Sequence, residues 1–139
     1  MCVENATAFY EYVRHAWGRR AALCLWGNPS PACRHLLRCL ERELPAGVAL
    51  RVWADLDYGG LRILAQLRGH VSQRFSPACM DVETFEAHVR WSRSLTRSDA
   101  RNLCRLLRHP ALPDMQQIIE HMLARGLKFE QEAVTLHPE

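Results

Sequence analysis

Two rhythms of apolar and polar positions alternate along this chain: short unbroken apolar runs, and longer stretches with a single apolar face. Residues 1–3 read as the last piece of an apolar strand. From 6 to 17 follows a helical pattern with Phe9, Val13 and Trp17 on one face. Residues 21–26 form an unbroken apolar run of strand length that ends at the turn-forming Gly27-Asn28-Pro29-Ser30, as a buried parallel strand does. Ser30 is placed to cap the next helix, with Pro31 at its first position and Leu36, Leu37 and Leu40 forming its face as far as the Pro45-Ala46-Gly47 break. A second apolar run, 48–54, then delivers Asp55-Leu56-Asp57-Tyr58-Gly59-Gly60 at its carboxyl end, and a third helix spans 61–68.

Residues 75–80 suggest one more short strand, after which Asp81 caps a brief helix holding Val82, Phe85 and Val89. Thr96 or Ser98 starts a helix with Leu103, Leu106 and Leu107 inward. Beyond Pro110 and Pro113 another helix runs through Met115, Ile118, Ile119 and Met122 to a stop at Gly126. Residues 127–136 read as an irregular or strand-like tail. Strands alternating with helices in the first half predict an α/β fold, a parallel sheet with right-handed crossovers, followed by a helical C-terminal part. Neither internal repeats nor low-complexity segments interrupt it.

At 139 residues and 48% apolar content the chain can bury one core, so residues 1–139 read as a single domain. No apolar run approaches the roughly 18 to 20 residues that span a bilayer. The start also has neither a basic nor an apolar targeting region, which leaves no membrane role and makes the cytoplasm the expected location. The cysteines, Cys2, Cys24, Cys33, Cys39, Cys79 and Cys104, are scattered through apolar patterns and are expected to be reduced and mostly buried. Of Cys33, His35 and Cys39 on one helix, only His35 and Cys39 have the spacing to share a metal, too few for zinc. The net charge of +3 is small, but Arg14, Arg19 and Arg20 cluster early and Arg90, Arg93, Arg97, Arg101, Arg105 and Arg108 cluster late. Such clusters suit phosphate, and equally a solvated basic helix face.

In an open parallel sheet, reactive groups collect beyond the carboxyl ends of the strands, where Glu4 and the pair Asp55 and Asp57 all fall. Alternation along an extended segment puts Asp55 and Asp57 on one side and frees Leu56 to enter the core. A compact group of carboxylates suits Mg2+, which takes oxygen ligands and can stabilise phosphoryl charge. Gly59 and Gly60 would let the backbone pass close to a phosphate as the next helix begins. The same residues also admit a plainer role: Asp57 as a helix cap, Asp55 in a surface ion pair, and Glu4 in the first turn of its helix.

Glu4 with Asn5, Thr7 and Phe9, and then Asp55-Leu56-Asp57-Tyr58-Gly59-Gly60 leading into an apolar helix, resemble the Toprim domain. The likeness is closest to the JetD C-terminal domains of Wadjet anti-plasmid systems, a group similar to the A subunit of topoisomerase VI. Met80-Asp81 with Thr84, Phe85 and His88, and the ending Phe129-Glu130-Gln131-Glu132-Ala133, extend it over nearly the whole chain. The resemblance implies a Toprim-type Rossmann-like sheet of about four strands flanked by helices, and Mg2+-dependent cleavage of double-stranded DNA, with Mn2+ as a substitute. It makes Glu4 the strand-one acid, Asp55 and Asp57 the metal-binding pair and Glu132 a fourth acid. Gly59, Gly60, Arg62, Arg97 and Arg101 are the expected phosphate contacts. Asp81 and His88 match positions of the group, but as a helix cap and a packed or surface residue.

There are departures. Ala54 and Gly59 stand where the family has glycine and a polar residue or histidine, and the chain starts almost at Glu4, so the winged-helix region that the family places upstream is expected to be absent. That region carries the attacking tyrosine of topoisomerase VI-like enzymes, so Tyr10, Tyr12 and Tyr58 are not assigned as nucleophiles. The resemblance further implies an SMC-type defence complex as partner, and an exposed first strand would favour a homodimer. The competing expectation is a non-catalytic Toprim remnant that binds DNA or protein.

Overall fold

The computed structural model describes residues 1–16 and 20–134, apart from the side chains of Ala16 and Glu132. Four short strands, β1 (Cys2–Val3), β2 (Leu23–Cys24), β3 (Leu50–Trp53) and β4 (Phe75–Pro77), form one parallel sheet in the order β2-β1-β3-β4. Parallel neighbours need a crossover, and a helix lies on each one: α1 (Ala6–Ala16), α2 (Pro31–Glu43) and α3 (Tyr58–His70). The result is a Rossmann-like α/β arrangement. Val3 is level with Cys24 on one side and Trp53 on the other, so the residues after β1 and β3 leave the sheet side by side. Val3, Val52 and Trp53 are buried between the helix layers. No helix among the described residues is long and apolar enough to cross a membrane.

The pattern misleads at β2. It is the sheet edge rather than a buried strand, Leu23 and Cys24 are half-buried, and only Leu25 of that apolar run is fully buried. Trp26, at the end of the run, is 73% exposed and has a left-handed backbone, φ 57°. The first strand, β1, is paired on both sides, which removes the free edge on which a homodimer was expected. On α2, capped by Ser30 with Pro31 at its start, only Leu37 of the apolar face is buried, while Leu36 and Leu40 are exposed. Trp17 and Arg19 lie outside the described residues.

The second half is helical, with one addition. Asp81 caps α4 (Val82–Ala87), accepting from the Thr84 N–H at 2.7 Å. Thr96 caps α5 (Arg97–Leu106) in a reciprocal box with Asp99, and Gly126 ends α6 (Gln116–Arg125) at φ 66°, where a side chain would be strained. Leu103, Ile118, Ile119 and Met122 join Leu61, Leu64 and Leu67 of α3 in one core. The addition is an antiparallel ribbon, β5 (Arg93–Ser94) against β6 (Leu127–Lys128), too short for any periodicity to reveal.

Arg68 on α3 anchors this half to the sheet. Its Nε donates to the Phe75 carbonyl, one terminal nitrogen donates to the Ala111 carbonyl, and the guanidinium grips Asp114 at 2.6 and 2.9 Å. Hydrogen bonds from Arg68 hold the Asp114 carboxyl below the usual carboxylate range, with burial opposing. A carboxyl whose pKa is lower folded than unfolded adds stability above its unfolded value and loses it as pH falls through the folded one. The gap in urea midpoint between wild type and Asp114→Asn is therefore expected to hold near neutral pH and to narrow on acidification through the carboxylate range. Equal gaps at neutral and strongly acidic pH would contradict it.

All six cysteines are free thiols. Only Cys2 is fully buried, its thiol pushed up to about 11 by burial, whereas Cys39 and Cys104 are exposed. The expectation of mostly buried thiols is corrected: both exposed cysteines lie on outward faces of amphipathic helices.

Candidate functional site

The carboxyl edge of the sheet is built around an exchange of hydrogen-bond partners at Glu4. In a parallel ladder in the observed register, the N–H of Glu4 meets the Trp53 carbonyl, as it does at 3.0 Å, and the Asp55 N–H should then meet the Glu4 carbonyl. That carbonyl instead accepts from Gly27, beyond β2, at 3.0 Å. The Glu4 side chain takes its place: Oε2 accepts the Asp55 N–H at 3.0 Å. Glu4, just past β1, thus reaches Asp55, just past β3, across the point where the two strands part.

Asp55 in turn accepts the backbone N–H of Gln131 at 2.7 Å through Oδ1. Leu56, between the acids, enters the core and forms a two-bond bridge with Phe129, at 2.9 and 3.0 Å, which brings the C-terminal segment to the end of β3. Asp57 caps α3, its Oδ1 accepting from Gly60 at 2.9 Å. Gly60 is where glycine is indispensable: a Cβ there would fall inside the Asp55 carbonyl and within 2.8 Å of the Asp55 nitrogen. The close approach it permits in this structure is to the chain's own backbone at Asp55. A Cβ on Gly59 would lie 3.1 Å from Oδ1 of Asp57.

Glu132 has its backbone in the 3-10 turn Gln131–Ala133, and its side chain lies outside what is described. Arg62, Arg97 and Arg101 are exposed and make no ion pair among the described residues. Lys128 pairs with Asp99 at 3.2 Å, which ties the first turn of α5, where Arg97 lies, to the ribbon. His88 bonds the Thr84 carbonyl and packs its ring against Phe129, so both it and Asp81 have the packing and capping roles expected of them.

The sequence reading missed Gln131. It is almost fully buried, 1% exposed, and its side-chain amide joins Asn5 to Trp53. The one local signal is weak: Gln131 follows Phe129 across the extended Glu130, which turns both to one side, but the 3-10 turn that begins at Gln131 ends any alternation there.

Among the described residues, no three histidine, cysteine or acidic side chains form a ready metal-binding group. Of Cys33, His35 and Cys39, only His35 and Cys39 meet, at 3.7 Å, which is two ligands. The donors at the sheet edge are all carboxylate oxygens, the kind Mg2+ takes, and that ion is ordinarily held by one or two carboxylates completed by water and substrate phosphate. Glu4 and Asp55 are each oriented by a backbone N–H, as metal-ligating carboxylates commonly are. In the chemistry of their donor atoms the residues present fit Mg2+.

Fold and site together define a Rossmann-like α/β protein in which Glu4 and Asp55 follow the carboxyl ends of adjacent parallel strands. More particularly, the chain belongs to the family described as "Wadjet protein JetD, C-terminal", which it matches over residues 1–139. A relative, Wadjet protein JetD of Bacillus cereus (strain Q1), is 25% identical over 135 residues, covering 96% of this chain and 33% of that protein. The chain therefore spans about a third of the length of the curated relative it matches.

Proposed function

We propose that this chain is a Toprim-type DNA-cleaving domain of a Wadjet plasmid-defence system, in which Glu4, Asp55 and Asp57 hold Mg2+ for phosphodiester cleavage. The observation that carries this reading is the Glu4 to Asp55 bond, which fixes two carboxylate-bearing residues from adjacent parallel strands at one edge. Membership of the JetD C-terminal family supports it. Magnesium, when bound, supplies charge stabilisation at the phosphoryl oxygens and orients the attacking water. The chain's own part is to aim the carboxylates: β1 and β3 bring Glu4 and Asp55 to one edge, and Asp57, two residues on, is fixed as the cap of α3. Arg62, Arg97 and Arg101 are exposed cations suited to the phosphates of double-stranded DNA. In the longer proteins of this family, further domains and an SMC-type complex would supply the grip on DNA.

Asp55→Asn tests the reading with little disturbance, because an amide oxygen can still accept the Gln131 N–H. Calorimetric Mg2+ or Mn2+ uptake by wild type is expected, with at least a tenfold loss in Asp55→Asn, since a neutral amide is a poorer ligand for a hard cation. Plasmid nicking run on the same samples should fall with it. Uptake without nicking would place the missing function in the rest of a longer protein. No uptake by wild type would favour the non-catalytic DNA- or protein-binding module.

A further inference from the structure

The side chain of Gln131 bridges the ends of β1 and β3 with both halves of its amide. Its Oε1 accepts the Asn5 N–H at 3.0 Å and its Nε2 donates to the Trp53 carbonyl at 3.0 Å. The Trp53 carbonyl already accepts from Glu4, so both its lone pairs are used. The backbone N–H of the same glutamine binds the Asp55 carboxylate. One residue thus reaches the segment that bears Glu4 and the segment that bears Asp55, from a position remote in sequence from both. Burial makes this demanding, because a buried amide with either end unsatisfied carries a desolvation cost, and here both ends are matched.

We infer that Gln131 is a positioning residue for the acid pair: it clamps the diverging ends of β1 and β3 and so fixes the separation and orientation of the Glu4 and Asp55 carboxylates. The inference rests on the metal-site reading above for its functional meaning, but the clamp itself is a property of the metal-free chain. Its links form a closed circuit: Glu4 carboxylate to Asp55 N–H, Asp55 carboxylate to Gln131 N–H, and the Gln131 amide to Asn5 N–H and Trp53 C=O. Opening one link loosens the others, since partners in a buried network depend on one another. Hydrogen-bonded neighbours of metal ligands typically alter affinity tenfold to a hundredfold when lost.

Two near-isosteric variants of the full chain decide it. Gln131→Met fills the space without polar atoms, whereas Gln131→Glu keeps the acceptor for Asn5 and sets an anionic oxygen against the Trp53 carbonyl. Amide hydrogen exchange on the metal-free proteins is the first readout. In Gln131→Met the Asn5 and Asp55 amides should exchange at least tenfold faster while Ile119 and Met122 in α6 keep their wild-type rates. In Gln131→Glu the Asn5 amide should stay protected and the Asp55 amide accelerate. Mn2+ affinity by calorimetry is the second readout, with a loss of tenfold or more expected in both variants.

Wild-type exchange at Asn5 and Asp55, uniform acceleration that includes α6, or faster exchange at the edge with wild-type Mn2+ affinity would each overturn the positioning role. Should Gln131→Met not fold, Gln131→Glu carries the same decision through Asp55 exchange and Mn2+ affinity. If wild type takes up no Mn2+, the metal-site reading fails on that result alone, and localised against uniform exchange then decides whether Gln131 clamps the two segments.

Discussion

Gly60→Ala is expected to destabilise the protein by about 3 kcal/mol or more, toward the upper end for an overpacking substitution. A methyl group at this position would enter the Asp55 carbonyl, and backbone cannot rotate away as a side-chain tip can. Relief requires α3 to move off the end of β3, which breaks the Asp57 cap and strains packing at Leu61 and Leu64, both completely buried. For a chain of this size the fall in Tm should be roughly 10 °C. Gly59→Ala is the control: its methyl group meets only the end of the Asp57 side chain at 3.1 Å, so a much smaller loss is expected. Equal losses in the two variants would mean that the approach of α3 to Asp55 is not what requires glycine.

Arg68→Met is the second large effect, at about 3 kcal/mol by urea unfolding, at the low end for breaking a buried ion pair. The low end applies because Asp114 is 47% exposed and can turn to water, whereas the Arg68 side chain is only 9% exposed. What water cannot readily restore are the donors to the Phe75 and Ala111 carbonyls, one at β4 and the other before α6. Asp114→Asn leaves those bonds in place and should cost about 1 kcal/mol, the ordinary net value of a hydrogen bond. If the two variants lose the same amount, the carbonyl contacts contribute little and the ion pair is the whole of the anchor.

Much of this architecture is legible in the pattern of residues. Ser30 with Pro31, Asp81 and Thr96 mark helix starts, Gly126 marks a stop, and each does so through local chemistry that needs no distant partner. The placement of Glu4 and Asp55 at strand ends is legible for the same reason. Strand position is another matter: the run of residues 21–26 is apolar enough for a sheet centre, yet β2 has one neighbour and Trp26 faces solvent, because strand order is set by how crossovers pack. The ribbon of β5 and β6 and the burial of Gln131 were hidden for a related reason. Each depends on contact between segments far apart in the chain, and a glutamine between two glutamates looks solvated until the Leu56 to Phe129 bridge turns it inward.

The circuit at the sheet edge joins residues 126 positions apart, Asn5 and Gln131. During synthesis the two acid-bearing segments are therefore made well before the residue that locks them together. A nascent chain can pair β1 with β2 and β3, but its acidic edge is left open until Phe129 and Gln131 have emerged and closed a loop that includes nearly every other residue. Assembly of this edge thus reports on completion of the domain: a chain that stalls before residue 129 carries Glu4 and Asp55 without the clamp that joins them.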